Sequence, residues 1–160
     1  MQNTDRTTRT NSTRILGGTQ SYWDSEGPGP RIMAAETLEG DKVVNASGES
    51  LGEIKDIMID VPSGRVAYAV LSFGGLLGMG NKLFAIPWQA LQLDPENHRF
   101  VLDVDQEQLK AAPGFDKDHW PSMADPSWGA TTHSYYNRQP YWLATHEVVE
   151  NDPNIRPPLE

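Results

Sequence analysis

Four glycines and an asparagine crowd the stretch from Phe73 to Asn81, directly ahead of Lys82 and an apolar run. A glycine-rich turn beside a strand is how a backbone cradles phosphate, so nucleotide chemistry is the first reading to test. A phosphate-binding loop places Lys and then Ser or Thr after its last glycine, and it opens a helix whose N-terminus faces the anion. Here Gly80 is followed by Asn81, Lys82 and Leu83, and "KLFAIPW" alternates like a strand. Gly74, Gly75, Gly78 and Gly80 also miss the GxGxxG spacing of a dinucleotide site. The stretch reads as a hairpin connection in which glycine takes positive-φ positions. Leu76, Leu77 and Met79 place three apolar side chains on it, which makes it a candidate docking loop.

The other reactive residue types form no constellation. His98, His119, His133 and His146 are scattered, whereas zinc sites usually contain one close pair. "HEVVE" ends in Glu150 where a metalloprotease helix needs a second histidine, and "DKDH" lacks the glycine and distal glutamate of a calcium loop. Asp56 and Asp60, four apart on a strand, share a face at roughly 13 Å, which suits solvated edge residues better than a catalytic pair. No nucleophile-elbow pattern singles out a serine. Cysteine is absent, which removes thiolate nucleophiles, disulfides and zinc–thiolate sites. The expectation is no catalytic residue, no metal and no cofactor.

Charge narrows the partners. Thirteen Lys and Arg against 22 Asp and Glu leave −9, which opposes direct binding to nucleic acid or to an anionic membrane surface. The first residues carry no apolar core like that of a signal peptide, and no apolar run approaches the length of a membrane span. A soluble cytoplasmic protein without membrane insertion is expected.

The elements that must position any site fall into three zones. Residues 1–30 are rich in Thr, Asn, Ser, Gly and Arg and read as a flexible arm. Residues 31–125 hold most aliphatics and, with 15 acidic against 8 basic residues, most of the negative charge. Residues 126–160 form an extension bearing Trp128, Tyr135, Tyr136, Tyr141 and Trp142. In the middle zone Val43–Val44 precede a turn, and Ile54, Ile57 and Ile59 follow along a strand. The step of three from Ile54 to Ile57 predicts a bulge near Lys55 and Asp56. "VPSG" (Val61–Gly64) is a turn. "RVAYAVLSF" is apolar on both faces through Leu71, which predicts a strand buried on two sides. "KLFAIPW" and "HRFVLDVD" follow, and "QEQLKAAPGF" supplies a helical turn capped by Asp105 and stopped by Pro113. Short strands with turns at these intervals describe a small barrel or sandwich. Its expected core is Ile54, Ile57, Val70, Leu71, Ile86 and Leu102, with Trp88 at one end.

"GESLGEIKDIMIDVPSGRVAYAVLSFGG", "FAIPWQALQLD" and "LDVDQEQLKAAPGF", in that order from about Ala34 to Phe115, strongly resemble the PRC-barrel family. That family is named for the cytoplasmic domain of the photosynthetic reaction centre H subunit. It includes a ribosome-maturation factor's C-terminal domain and stand-alone bacterial proteins. "DPSWGATTHSYYNRQPYW" is similar to the extension of some stand-alone members. The resemblance implies a mainly β, PRC-type barrel of five to six short antiparallel strands, then a short helix and an irregular or partly helical extension. It also implies a module that docks to other macromolecules without chemistry of its own.

The function expected from the sequence is therefore a non-catalytic interaction module with protein partners. A ribosome- or RNA-processing-linked adaptor and a small-ligand-binding protein are the alternatives. A homodimer is expected, joined through an open barrel edge and through Trp128, Tyr135, Tyr136, Tyr141 and Trp142, five aromatics within 15 residues. The alternative is that the extension folds back on its own barrel.

Overall fold

The computed structural model of the chain describes residues 13–16, 32–73 and 82–143. Its strands are β1 (Arg14–Ile15), β2 (Lys42–Val44), β3 (Ser50–Asp60), β4 (Arg65–Phe73), β5 (Lys82–Pro87), β6 (Leu91–Asp94) and β7 (Arg99–Leu102). Three helices accompany them: α1 (Ala35–Leu38), α2 (Gln106–Ala111) and α3 (Pro126–Tyr135). The fold is mainly β, as expected. The strands make one seven-stranded sheet in the order β1-β6-β7-β2-β3-β4-β5.

Two features depart from the expected set of five to six antiparallel strands. β2 pairs with β7 in parallel, and β1 pairs with β6 in parallel. β2 and β7 lie more than 50 residues apart, a non-local pairing that hairpin signals cannot announce. The sheet also keeps two ends, β1 and β5, rather than closing by hydrogen bonds. It curls around one core, in which Val43, Leu51, Ile54, Leu71, Phe84, Ile86, Phe100 and Leu102 meet Leu109 of α2.

Bulges shape the curl. Ile54 pairs with Leu71 and Asp56 with Val70, so Lys55 is the extra residue, where the spacing of isoleucines placed it. A second register shift near Gly52 leaves Leu51 unpaired between Val43 and Val44 of the partner strand. The inward residues of β3 are therefore Leu51, Ile54 and Ile57, spaced by three rather than two. A third shift, between Met58 and Ile59, turns Ile59 out to 53% exposure. Gly52 sits at φ +122°, with a hypothetical Cβ only 2.1 Å from the Ser72 carbonyl oxygen, so this crossing requires glycine.

The turn at Val61–Gly64 forms as read, with the Gly64 N–H donating to Asp60 O at 2.8 Å. α2 begins in a reciprocal cap: Asp105 accepts from the Gln108 N–H at 2.7 Å, and Gln108 Oε1 accepts from the Asp105 N–H at 2.9 Å. It ends at Ala111, before Pro113. Of the expected core, Ile54, Val70, Leu71, Ile86 and Leu102 are buried, while Ile57 and Trp88 are partly buried against it. The Trp88 ring lies 5.7 Å from that of Phe100, edge to face.

The chain itself adds backbone partners to the outer sides of β6 and β5. β1 comes from the zone expected to be a free arm. It adds to β6 with Leu16 N–H donating to Leu93 O at 2.6 Å and Thr13 Oγ1 donating to Trp88 O at 2.5 Å. The cause is the outer edge of β6, whose amides need partners, and Ile15, which packs on the core. At the other edge Leu83 and Phe115 exchange two backbone hydrogen bonds of 2.8 Å. Gly114 permits that approach, since a Cβ there would lie 2.9 Å from Leu83 O. Residues 74–81 link Phe73 to Lys82, which are paired neighbours of β4 and β5, so the glycine-rich stretch does connect a hairpin.

Candidate functional site

The outer face of β4 and β5 presents Ala67, Tyr68 and Ala85, two small residues around one large ring. The alanines leave a shallow apolar platform, and the C-terminal extension lies on it. Met58, Phe115, Met123, Trp128 and Tyr141 pack around these three residues. This explains why "RVAYAVLSF" carries apolar residues on both faces: one side feeds the barrel core and the other receives the extension.

α3 delivers the first part of that cover. Asp125 caps it by accepting from the Ser127 N–H at 2.9 Å, and Pro126 occupies the first turn, where its missing donor costs nothing. Four residues apart on one helix face, Gly129 and His133 point toward Tyr68. A Cβ on Gly129 would lie 2.7 Å from Trp142 Cη2 and 2.9 Å from the Tyr68 hydroxyl, so the absent side chain makes room for both rings. A 3-10 turn, Tyr141–Leu143, supplies the second part.

The rings meet edge to face. Tyr68 lies 5.3 Å from Trp128, 5.3 Å from His133 and 6.0 Å from Tyr141, while His133 lies 5.6 Å from Trp142. Contacts of this geometry contribute about 0.5 to 1.5 kcal/mol each beyond area burial.

His133 is fully buried at the centre, and its partners define its tautomer. Nδ1 lies 2.7 Å from Gly129 O, which only accepts, so Nδ1 carries the proton. Nε2 accepts from the Tyr141 backbone N–H at 3.2 Å. Burial holds this imidazole below the usual histidine range, with the Gly129 hydrogen bond opposing. Tyr68 is pushed up, mainly by burial and secondarily by Tyr141. Tyr141 rises to about 12 through burial and then through its bond to Asp60. At neutral pH the rings are uncharged.

Charge appears only at the rim. The Tyr141 hydroxyl donates to Asp60 Oδ2 at 2.6 Å, and Arg65 Nη1 donates to Tyr141 O at 2.9 Å. The Tyr141 hydrogen bond, then the Ser63 N–H, holds Asp60 below the ordinary carboxylate range. Two further ties hold the extension. Gln89 Nε2 donates to Gln139 O at 2.9 Å, and the Tyr135 hydroxyl donates to Gln108 O at 2.5 Å.

The expected interaction residues thus take different places. Leu76, Leu77 and Met79 lie outside the described residues, as does His146. Trp128 and Tyr141 sit on Tyr68, Tyr136 is buried among the barrel core residues, and Trp142 stands over His133 at 40% exposure. The Tyr136 hydroxyl has no hydrogen-bond partner among the described residues. The aromatic extension therefore folds onto its own barrel. Tyr68 and its alanine neighbours offer the apolar face on which Trp128 and Tyr141 pack. Tyr68, Gly129 and Arg65 were not singled out from the sequence, and His133 and Asp60 were weighed there only as a metal ligand and as one of a carboxylate pair. The Gly129–His133 spacing after the Asp125-Pro126 start was the available signal.

Elsewhere, His119 Nδ1 lies 2.8 Å from exposed Asp116, and His98 occupies a positive-φ turn position. Among the described residues no group of three His, Cys, Asp or Glu side chains could hold a metal ion. None of the described helices is long and apolar enough to cross a membrane.

No curated protein matches the chain. The family model of the PRC-barrel domain matches residues 30–109, which run from just before α1 into α2 and take in strands β2 to β7. α3 and the Tyr141–Leu143 turn lie beyond that span, as an addition to the common domain. With half its length matched in this way, and with the mixed, bulged sheet in that segment, the chain belongs to the PRC-barrel domain family.

Proposed function

We propose that this chain is a non-catalytic interaction module, a PRC-type sheet that docks to protein partners or to a second copy of itself. The observation that carries this reading is the employment of the reactive groups on the β4–β5 face. Both ring nitrogens of His133 are engaged, Tyr141 and Asp60 hold each other, and Arg65 holds the Tyr141 carbonyl. Each group that could move a proton serves as a fastening.

The exposed apolar side chains support docking as the alternative use of the surface. Val61 is 84% exposed and Leu143 62% exposed. The Asp60–Tyr141 and Arg65–Tyr141 bonds bring the β3–β4 turn to the start of the segment that carries Trp142 and Leu143. A net charge of −9 favours a partner that surrounds an apolar centre with cations. Leu76, Leu77 and Met79 remain a second candidate contact on the β4–β5 connection.

Affinity capture from native lysate, with Val61→Asp and Leu143→Asp beside the unaltered chain, tests the reading. A defined partner retained by the unaltered chain and lost from both variants is the expected result. An identical set of captured proteins for all three would remove this surface from the account. Sedimentation of the full chain at tens of micromolar reports whether a second copy is the partner.

A further inference from the structure

Among the described histidines only His133 is buried, and its surroundings leave one place for a second proton. Nδ1 already donates to Gly129 O at 2.7 Å, so protonation must occur at Nε2, the atom that accepts the Tyr141 N–H at 3.2 Å. A protonated Nε2 would face that N–H donor to donor, and a cation would stand among the rings of Tyr68, Tyr141 and Trp142. We propose that His133 is an acid-operated latch on the C-terminal extension. Protonation expels the Tyr141–Leu143 turn from the outer face of β4 and uncovers the side of Tyr68 on which Tyr141 packs.

The groups facing the imidazole do not compensate the charge. From β4 come the Tyr68 hydroxyl, 3.5 Å from Nδ1 and uncharged, and the permanent cation of Arg65, held on the Tyr141 carbonyl. From the 3-10 turn comes the Tyr141 hydroxyl, also uncharged and directed at Asp60. Asp60 of β3 lies across Tyr141 from the ring and is engaged there. β5 contributes Ala85, and Met58 and Met123 are apolar. On its own helix His133 faces the Gly129 carbonyl, and just past the helix end the backbone N–H of Arg138 donates to His133 O at 2.9 Å.

The direction of the effect follows from linkage. The docked imidazole resists a proton that the released imidazole accepts at its ordinary value of 6.5. Docking is therefore undisturbed above about pH 7 and weakens as pH falls through that value, by roughly 30-fold at pH 5 if the docked ring stays neutral.

Amide hydrogen exchange on the full chain, corrected for intrinsic rates, tests the latch between about pH 7.5 and pH 5. The protection of residues 141–143 should fall by roughly 30-fold relative to that of β4. His133→Gln, whose amide can donate to Gly129 O and accept from Tyr141 but cannot titrate, should lose no such protection. Equal loss in β4, no loss in the unaltered chain, or equal loss in His133→Gln would overturn the proposal. If His133→Gln does not fold, the ring titration of His133 followed by NMR decides. Titration at or above the ordinary value with the extension still docked refutes the latch.

Discussion

The hydroxyl of Tyr141 donates to Asp60 Oδ2 at 2.6 Å across 81 residues of sequence, and with it the C-terminal extension is tied to the last residue of β3. The bond stabilises the ionised carboxylate, so Asp60 titrates below its ordinary value of 3.8. A carboxylate with a lowered folded value contributes stability that is present above the unfolded value and is lost as pH falls through the folded one. Tyr141→Phe should return Asp60 toward 3.8 and loosen residues 141–143 at pH values where Asp60 is ionised. The carboxyl carbon shift of Asp60, followed by NMR through acid titration, checks this; an unmoved titration would mean the bond is not formed in solution.

Two glycines should respond differently to alanine. At Gly52 the new Cβ meets the Ser72 backbone at 2.1 Å with φ +122°, and neither side can yield cheaply. Strain and clash together should cost on the order of 3 kcal/mol or more and lower the melting temperature of the whole sheet. At Gly129 the Cβ meets chiefly the Trp142 ring, which can swing away. The overpacking cost of about 1 to 3 kcal/mol is partly offset by a gain of about 1 kcal/mol in helix propensity. Gly129→Ala should release Trp142, seen as a red-shifted tryptophan emission, while the sheet melts almost unchanged.

Ile86 is fully buried, opposite Ala69 in the middle of the β4–β5 pair. Ile86→Ala should cost about 2 to 5 kcal/mol. Against a total of about 5 to 15 kcal/mol for such a domain, that is enough to unfold or nearly unfold it. Ile59→Ala, at a half-exposed position beyond the third register shift, should move the urea midpoint little. Equal midpoints for the two variants would contradict the register of β3 and β4.

β1 covers the outer edge of β6 and places Ile15 against the core. Deletion of residues 1–16 should lower stability by about 1 to 3 kcal/mol through the lost apolar contact. It should also promote self-association through the bared edge, read as a concentration-dependent sedimentation coefficient. A truncated chain that remains as stable and as monomeric as the full one would show that this edge needs no cover.

Much of the sheet was legible because local rules act over a few residues. The isoleucine spacing located the bulge at Lys55, Pro62 and Gly64 marked the turn, and Asp105 with Pro113 bounded α2. Those signals are steric and hydrogen-bonding preferences of the chain with itself at short range, and they hold wherever the segment ends up. The resemblance to PRC-barrel proteins rested on the same segments, and the family model matches residues 30–109, close to the Ala34–Phe115 span of that resemblance.

Long-range choices were not legible. The parallel pairing of β2 with β7, the recruitment of Thr13 to Leu16 onto β6, and the meeting of His133 with Tyr68 each join segments whose sequences carry no mutual mark. α3 contains a central glycine and two threonines and has no clear apolar stripe, so packing on Tyr68 rather than intrinsic propensity sustains it. Five aromatics within 15 residues announced that the extension must bury its rings, because water cannot accommodate so much apolar surface cheaply. The composition of a segment specifies how much surface it must hide but not which surface hides it. Only the tertiary structure decided that the face was the chain's own, since Ala67, Tyr68 and Ala85 become an apolar platform once β4 and β5 are paired.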